Sequence, residues 1–354
     1  MNTIYIVPIE PIDARYTRQW YDNIPGILDS AITAQGKSYA VKTIDGVAIP
    51  PGTTSGAFLD FGATNVYKAS QTEVISRLFS AGEIKPGDKF LVTDAWNFAI
   101  TAIRYMSDLL DIPVEIHGIW HAGAYDPTDI LGYKMRKPWP HDQERAWFHA
   151  CDYNYYATDF HKDMFLRNLS IPAEYHYKAV RSGQPHTPII DQCSQYWNTI
   201  KTDTMIWPHR YNADKQPDIV EHLQLQIYGK TLITQKMNLS KDAYYQTMGQ
   251  CKVLFSCSLH ENLGISVMEG VLAGVIPVLP DRCSYSEMYL PEFKYPSIWT
   301  ESWSNYLAYQ LPLAEFINER IRNYTKYLPA LMEQKAILIK DYLQPTVMVN
   351  QLTS

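Results

Sequence analysis

Short β-branched apolar runs alternate with stretches of helical period along almost the whole chain, and few folds accept that alternation. TIYIVPI (3–9), SYAVKTI (38–44), KFLVTDAW (89–96), VEIHGIW (114–120) and YNYYATD (153–159) read as strands. Segments of helical pattern separate them, including RQWYDNIPGILDSAITAQG, closed by Gly36, and SQTEVISRLFSAGEI, where Ser70 and Glu73 have capping-box spacing. A second cycle begins with TMIWP (204–208) and runs through PDIVEHLQ, LQIYG, SKDAYYQTMGQ, KVLFSCS and VIPVLP. Strands that are apolar on both faces and joined by helices require a parallel sheet covered on both sides. The polar, proline-bearing stretch 182–203 separates the cycles and reads as a linker. The expected architecture is α/β: two Rossmann-like domains facing across a cleft, over 1–185 and 186–325. A helical tail, 326–354, is expected to cross back to the first domain.

With 354 residues, 46% of them hydrophobic, the chain can bury two cores. Its net charge of −6 gives no global attraction to nucleic acid or anionic membrane. The five cysteines have neither metal-site spacing nor a disulfide framework, and they read as the reduced thiols of a cytoplasmic protein. Neither a signal-peptide pattern at the start nor an apolar run of membrane-spanning length is present.

Ligands of open α/β sheets sit at the carboxyl ends of the strands. Two stretches of the second cycle carry chemistry there. SLHENLGISVMEGVLAGVIPVLP (258–280) places Glu261 and Glu269 eight positions apart around Gly264, with a helix expected from Asn262 or Leu263. Unpaired N–H groups at such a start attract phosphate, so a carboxylate just before it is free to reach sugar hydroxyls. Glu269, two turns on, has the reach to grip a ribose diol; a cap and a surface glutamate are the plainer alternative. IWPHRYNADKQPD (206–218) brings Arg210 and Lys215 to the same edge. Two cations beside a helix start make a diphosphate clamp, or two solvated surface charges.

PHRYNADK, HENLGISVMEG and AGVIPVLP together resemble the donor-binding domain of retaining GT-B glycosyltransferases, whose signature is E-x7-E. Within that group, 204–292 is similar to the tRNA-queuosine mannosyltransferase family. The resemblance implies a UDP- or GDP-linked sugar as co-substrate, no other cofactor, no metal, and retention at the anomeric carbon. It places Arg210 and Lys215 on the diphosphate, Glu261 on the transferred sugar and Glu269 on the ribose. His260, Asn262, Leu263 and Gly264 join the donor-binding set. The segment LQIYGKTLITQKMN is shorter than the family's, which leaves the nucleotide base open. The first half lacks the glycine-rich first loop of GT-B enzymes and resembles glycosyltransferases of tailed bacteriophages, some of which decorate hydroxymethylated pyrimidines in DNA.

His121, in HGIWHAGAYDPTD, matches the position of a GT-B histidine near the donor sugar; a hydrogen-bonded buried histidine is the alternative. Asp126 and Asp129 point at the acceptor or cap a helix. LGYKMRKPWPHDQERAWFH (131–149) mixes Lys134, Arg136, Lys137, His141 and Arg145 with Trp139 and Trp147, a combination suited to phosphates and an extruded base. YHYKAVRSGQPH (175–186) has the same character. The expected activity is retaining sugar transfer to a modified nucleobase, in phage DNA or in tRNA. Transfer to a glycan or small molecule, and non-catalytic nucleotide binding, are the alternatives. No membrane partner is expected.

Overall fold

The computed structural model describes residues 1–12, 16–49, 52, 54 and 59–354. They form two compact units, Met1–His186 with Gln344–Ser354, and Thr187–Leu343. The first contains β1 (Asn2–Val7), α1 (Tyr16–Ala34), β2 (Tyr39–Thr43), α2 (Phe61–Ser80), β3 (Lys89–Val92), α3 (Ala99–Leu109) and β4 (Glu115–Ile119). It continues with α4 (Ile130–Lys134), α5 (Pro138–Ala150), β5 (Tyr153–Tyr156), α6 (Asp159–Asn168) and β6 (Ala179–Arg181). The six strands are ordered β2-β1-β3-β4-β5-β6, and every pairing is parallel. β3 is buried at every position, as a strand covered on both faces must be.

The second unit opens with α7 (Pro188–Ser194), β7 (Thr202–Trp207), α8 (Pro217–Leu223), β8 (Lys230–Ile233), α9 (Lys241–Gly249) and β9 (Cys251–Phe255). Next come α10 (Ile265–Leu272), β10 (Ile276–Pro280), α11 (Tyr285–Met288), β11 (Lys294–Tyr295), α12 (Trp303–Arg322) and α13 (Leu328–Leu338). Its parallel sheet runs β11-β10-β9-β7-β8. The chain then returns to the first unit as α14 (Thr346–Leu352), whose Met348, Val349 and Leu352 share a core with Ile4, Ile6, Trp20 and Leu28.

Four local expectations are corrected. Ser70 does not cap a helix: α2 starts ten residues earlier, where the Asp60 carboxylate accepts from the N–H groups of Gly62 and Ala63. Ser70 instead donates to the Tyr67 carbonyl, and Glu73 pairs with Arg77 one turn on. LQIYG is not a strand; a 3-10 turn and Gly229 at φ 90° delay β8 to Lys230. The stretch 182–203 contains a helix, α7, entered through Pro188 and anchored by buried Ile189 and Cys193. YHYKAVRSGQPH supplies the end strand β6.

All five cysteines are free, and four are buried. No described helix is long and apolar enough to cross a membrane.

Candidate functional site

The loops leaving β7, β9 and β10 meet at one edge of the second sheet and are tied by side chains that the sequence reading did not single out. Gln216, in a left-handed conformation at φ 53°, donates to the carbonyls of Cys257 (2.6 Å) and Thr300 (2.7 Å). The Arg282 guanidinium, just past β10, donates to the carbonyls of Ser258 (2.8 Å), Cys257 (3.1 Å) and Ser297 (3.1 Å) and to the Thr300 hydroxyl (2.6 Å). The backbone N–H of Leu259 donates to the Asp214 carbonyl at 2.7 Å. Irregular backbone at a sheet edge needs such partners for its polar groups. An arginine directly after a strand at this edge was the available signal.

Inside this frame Lys215 reaches Glu261. Its ammonium donates to a carboxylate oxygen of Glu261 at 3.1 Å and to the His260 carbonyl, and it pairs with Asp214 at 3.2 Å. The Lys215 side chain is only 8% exposed, Glu261 18% and Asp214 17%. An ammonium has three N–H groups, and here three oxygens surround it. Burial alone would raise the carboxyl pKa of Glu261, but the Lys215 charge holds it below the usual range. Asp214 is likewise held low against burial, by Lys215 and Arg210. Arg210 is more open, with one ion pair to Asp214 at 3.7 Å. His209 was not among the predicted residues. It is buried beside these charges, and burial followed by the Lys215 charge lowers its pKa to about 3, so the imidazole is neutral.

The expected helix start at Asn262 or Leu263 is corrected to Ile265. Gly264 adopts φ 80°, and a Cβ there would lie 2.9 Å from the Tyr285 ring. Only glycine fits both the backbone and the ring. Asn262 and Leu263 are buried in the preceding loop. The Tyr285 hydroxyl reaches Ser256 at 3.3 Å and Glu261 at 3.5 Å.

Glu269 is buried and faces α9. It accepts from Tyr245 (2.8 Å), Lys241 (2.9 Å) and Tyr244 (3.2 Å). The two glutamates of the signature are thus held by different neighbours: Glu261 by Lys215 and Tyr285, Glu269 by α9. The tyrosines of DAYY were legible only as helix residues.

His121, Asp126 and the basic-aromatic segment belong to the first unit. His121 follows β4, and its Nε2–H donates to the Thr93 carbonyl at 2.8 Å, with the Trp20 ring edge-on at 4.9 Å. Asp126 is fully buried, and one oxygen accepts from the backbone N–H (2.9 Å) and hydroxyl (2.7 Å) of Thr128. Its placement at an open acceptor site is therefore corrected: it shapes the loop. Asp129 caps α4 through the Leu131 N–H. Lys134, Arg136 and Lys137 are exposed, as is Trp139 at 51%. Arg145 instead pairs with Asp142 and donates to the Leu169 carbonyl at 3.3 Å. Trp147 is fully buried against Trp96 and Phe98, which rules out base stacking by its ring. Among the described residues, no cluster of three His, Cys, Asp or Glu could hold a metal.

Whole-chain comparison matches solved glycosyltransferases. Sucrose-phosphate synthase from Thermosynechococcus elongatus matches with a TM-score of 0.64 at 11% identity, covering 99% of this chain and 97% of that one. WaaG, a glycosyltransferase involved in lipopolysaccharide biosynthesis, matches at 0.59 and 14% identity over the full length of both chains. The fold is GT-B. Anabaena Alr3699/HepE, solved with UDP and glucose, matches at 0.58 with 12% identity over 99% of this chain and 98% of its own. In sequence, the tRNA-queuosine alpha-mannosyltransferase of Drosophila melanogaster is 23% identical over 119 residues, covering 26% of this chain. The chain spans about a third of that relative, 32% of its length. No family model matches.

Proposed function

We propose that this GT-B chain is a glycosyltransferase that takes its sugar from a nucleoside diphosphate, UDP or GDP, without a metal or further cofactor. The observation that carries the reading is the ionised, half-buried Glu261 paired with buried Lys215 at the entrance to α10, on the carboxyl edge of β7, β9 and β10. A fixed carboxylate there suits the hydroxyls of a transferred sugar, and Arg210 suits the diphosphate. Structural neighbours solved with UDP and glucose support the donor class.

The reaction proposed is retaining, by front-face attack. The anomeric C–O bond to the distal phosphate breaks, and the acceptor hydroxyl bonds to the same face of that carbon. The departing phosphate oxygen takes the hydroxyl proton. Catalysis then lies in alignment and in neutralising charge on the leaving diphosphate. In this reading Glu269 exchanges its α9 partners for the ribose diol.

The proposed acceptor is a hydroxyl on a modified nucleobase, in phage DNA or in queuosine-bearing tRNA. The name of the Drosophila relative and the exposed Lys134, Arg136, Lys137 and Trp139 support it. A glycan or small-molecule acceptor is the second reading, favoured by whole-chain likeness to a sucrose-phosphate synthase and a starch synthase. Incubation with radiolabelled UDP- and GDP-sugars in the presence of EDTA, with hydroxymethylated DNA, tRNA or oligosaccharides added, tests both readings. Label in nucleic acid supports the first and label in oligosaccharide the second. Complete failure to cleave or transfer from any donor refutes sugar transfer.

A further inference from the structure

The Lys215 ammonium donates to Glu261 and to the His260 carbonyl and forms an ion pair with Asp214 at 3.2 Å, so three protein oxygens already hold it. Its charge polarises the site, but a bound diphosphate needs donors from elsewhere. His209 stands in the same loop, between the end of β7 and Arg210. It is 4% exposed, and its Nε2 is buried without a hydrogen-bond partner. The Trp207 ring meets the imidazole at 5.6 Å and 68°, which fixes its orientation. The charged and titratable groups acting on it are Lys215, Glu261, Asp214 and Arg210, the groups of the donor site itself. A buried imidazole nitrogen left unpaired in the free protein costs stability, and a ligand that pairs it recovers that cost on binding.

Resting on the sugar-transfer reading, we propose that His209 is a substrate-contacting residue whose Nε2–H donates to the distal phosphate of the nucleoside diphosphate. The division of labour is then specific. Lys215 supplies charge at one remove, Arg210 a mobile cationic contact, and His209 a rigid neutral donor. In the free protein, burial and the Lys215 charge keep the imidazole uncharged, its pKa lowered to about 3.

Calorimetric titration of the full chain with UDP, GDP, UMP and GMP tests the assignment, using wild type, H209F, H209Q and H209N. Phenylalanine fills the space without a donor, glutamine keeps an N–H at similar reach, and asparagine falls short. H209F and H209N are expected to bind the preferred diphosphate about tenfold more weakly or worse. Their monophosphate affinity should be unchanged, and H209Q should stay within about threefold of wild type. Equal diphosphate binding by wild type and H209F, or an equal loss for mono- and diphosphates, overturns the proposal. If H209F does not fold, the Gln–Asn difference decides, and its absence overturns the proposal. Wild type that binds no diphosphate at all removes the sugar-transfer reading instead, which separates the two failures.

Discussion

Replacing Lys215 with methionine should destabilise the second unit. The substitution keeps most of the length of the buried side chain but leaves the half-buried carboxylates of Glu261 and Asp214, formerly 3.1 and 3.2 Å from a cation, without it. Breaking a buried pair from one side costs about 3–5 kcal/mol. For a unit of this size each kcal/mol is worth roughly 2–4 °C, so the unfolding midpoint should fall by roughly 10 °C at pH 7. The sign of the pH dependence is also fixed. In wild type both carboxyl pKa values are held low, so their contribution is present above the unfolded pKa of about 4 and is lost as pH falls through the folded values. Without Lys215, burial raises both, so folding then favours their protonated forms. Variant and wild type should converge as pH falls from 7.5 to 5. Scanning calorimetry at several pH values measures this. A midpoint within about 2 °C of wild type at pH 7, or a gap that does not narrow with falling pH, would refute the account of buried Lys215 as the counter-charge of two half-buried acids.

Three further substitutions separate site from scaffold. Tyr245→Phe should cost about 1.5–3 kcal/mol in urea unfolding, because it removes the 2.8 Å bond to the Glu269 carboxylate; Glu269→Ala should lower both stability and donor affinity, the latter by roughly tenfold or more. Gly264→Ala should destabilise by at least about 1 kcal/mol, since φ 80° and the Tyr285 ring both oppose a Cβ; an unchanged urea midpoint counts against the strained entrance to α10. Trp139→Ala should leave stability alone and weaken single-stranded nucleic acid by roughly 1–3 kcal/mol if the ring stacks on a base, whereas Trp147→Ala should cost about 3–5 kcal/mol of stability.

What the sequence disclosed follows from the physics of parallel sheets. Runs such as KFLV and IPVLP are buried at every position, and uniform burial selects uniform apolarity that is easy to recognise. Elements defined by a single capping contact were harder. Asp60 starts α2 in a stretch of weak periodicity, and Ser70 offered an equally plausible cap further in. The three-residue β6 is too short to carry a period. In the candidate site, residue types pointed to the sheet edge where the loops after β7, β9 and β10 meet, but not to which atoms meet. Nothing in PHRYNADK reveals that Lys215 turns back onto Glu261, or that a histidine beside it lies buried. Trp147 looked like Trp139 in sequence because both sit in one amphipathic stretch; the turn of α5 sends one ring into the core and leaves the other outside.

The path of the chain also dictates an order of assembly. Thr187–Leu343 is continuous, so it can fold as soon as it has left the ribosome. The first unit cannot finish with it, because Met348, Val349 and Leu352 complete a core built on Ile4, Ile6, Trp20 and Leu28. The Asn350 and Thr353 side chains bond to Gln35 at 2.8 and 2.9 Å, closing a loop of more than three hundred residues. During synthesis, one face of β1 and α1 stays uncovered while the whole second unit is made. That face is available to chaperones, or to a neighbouring nascent copy, for the entire interval. The unit synthesised first is the last to be completed.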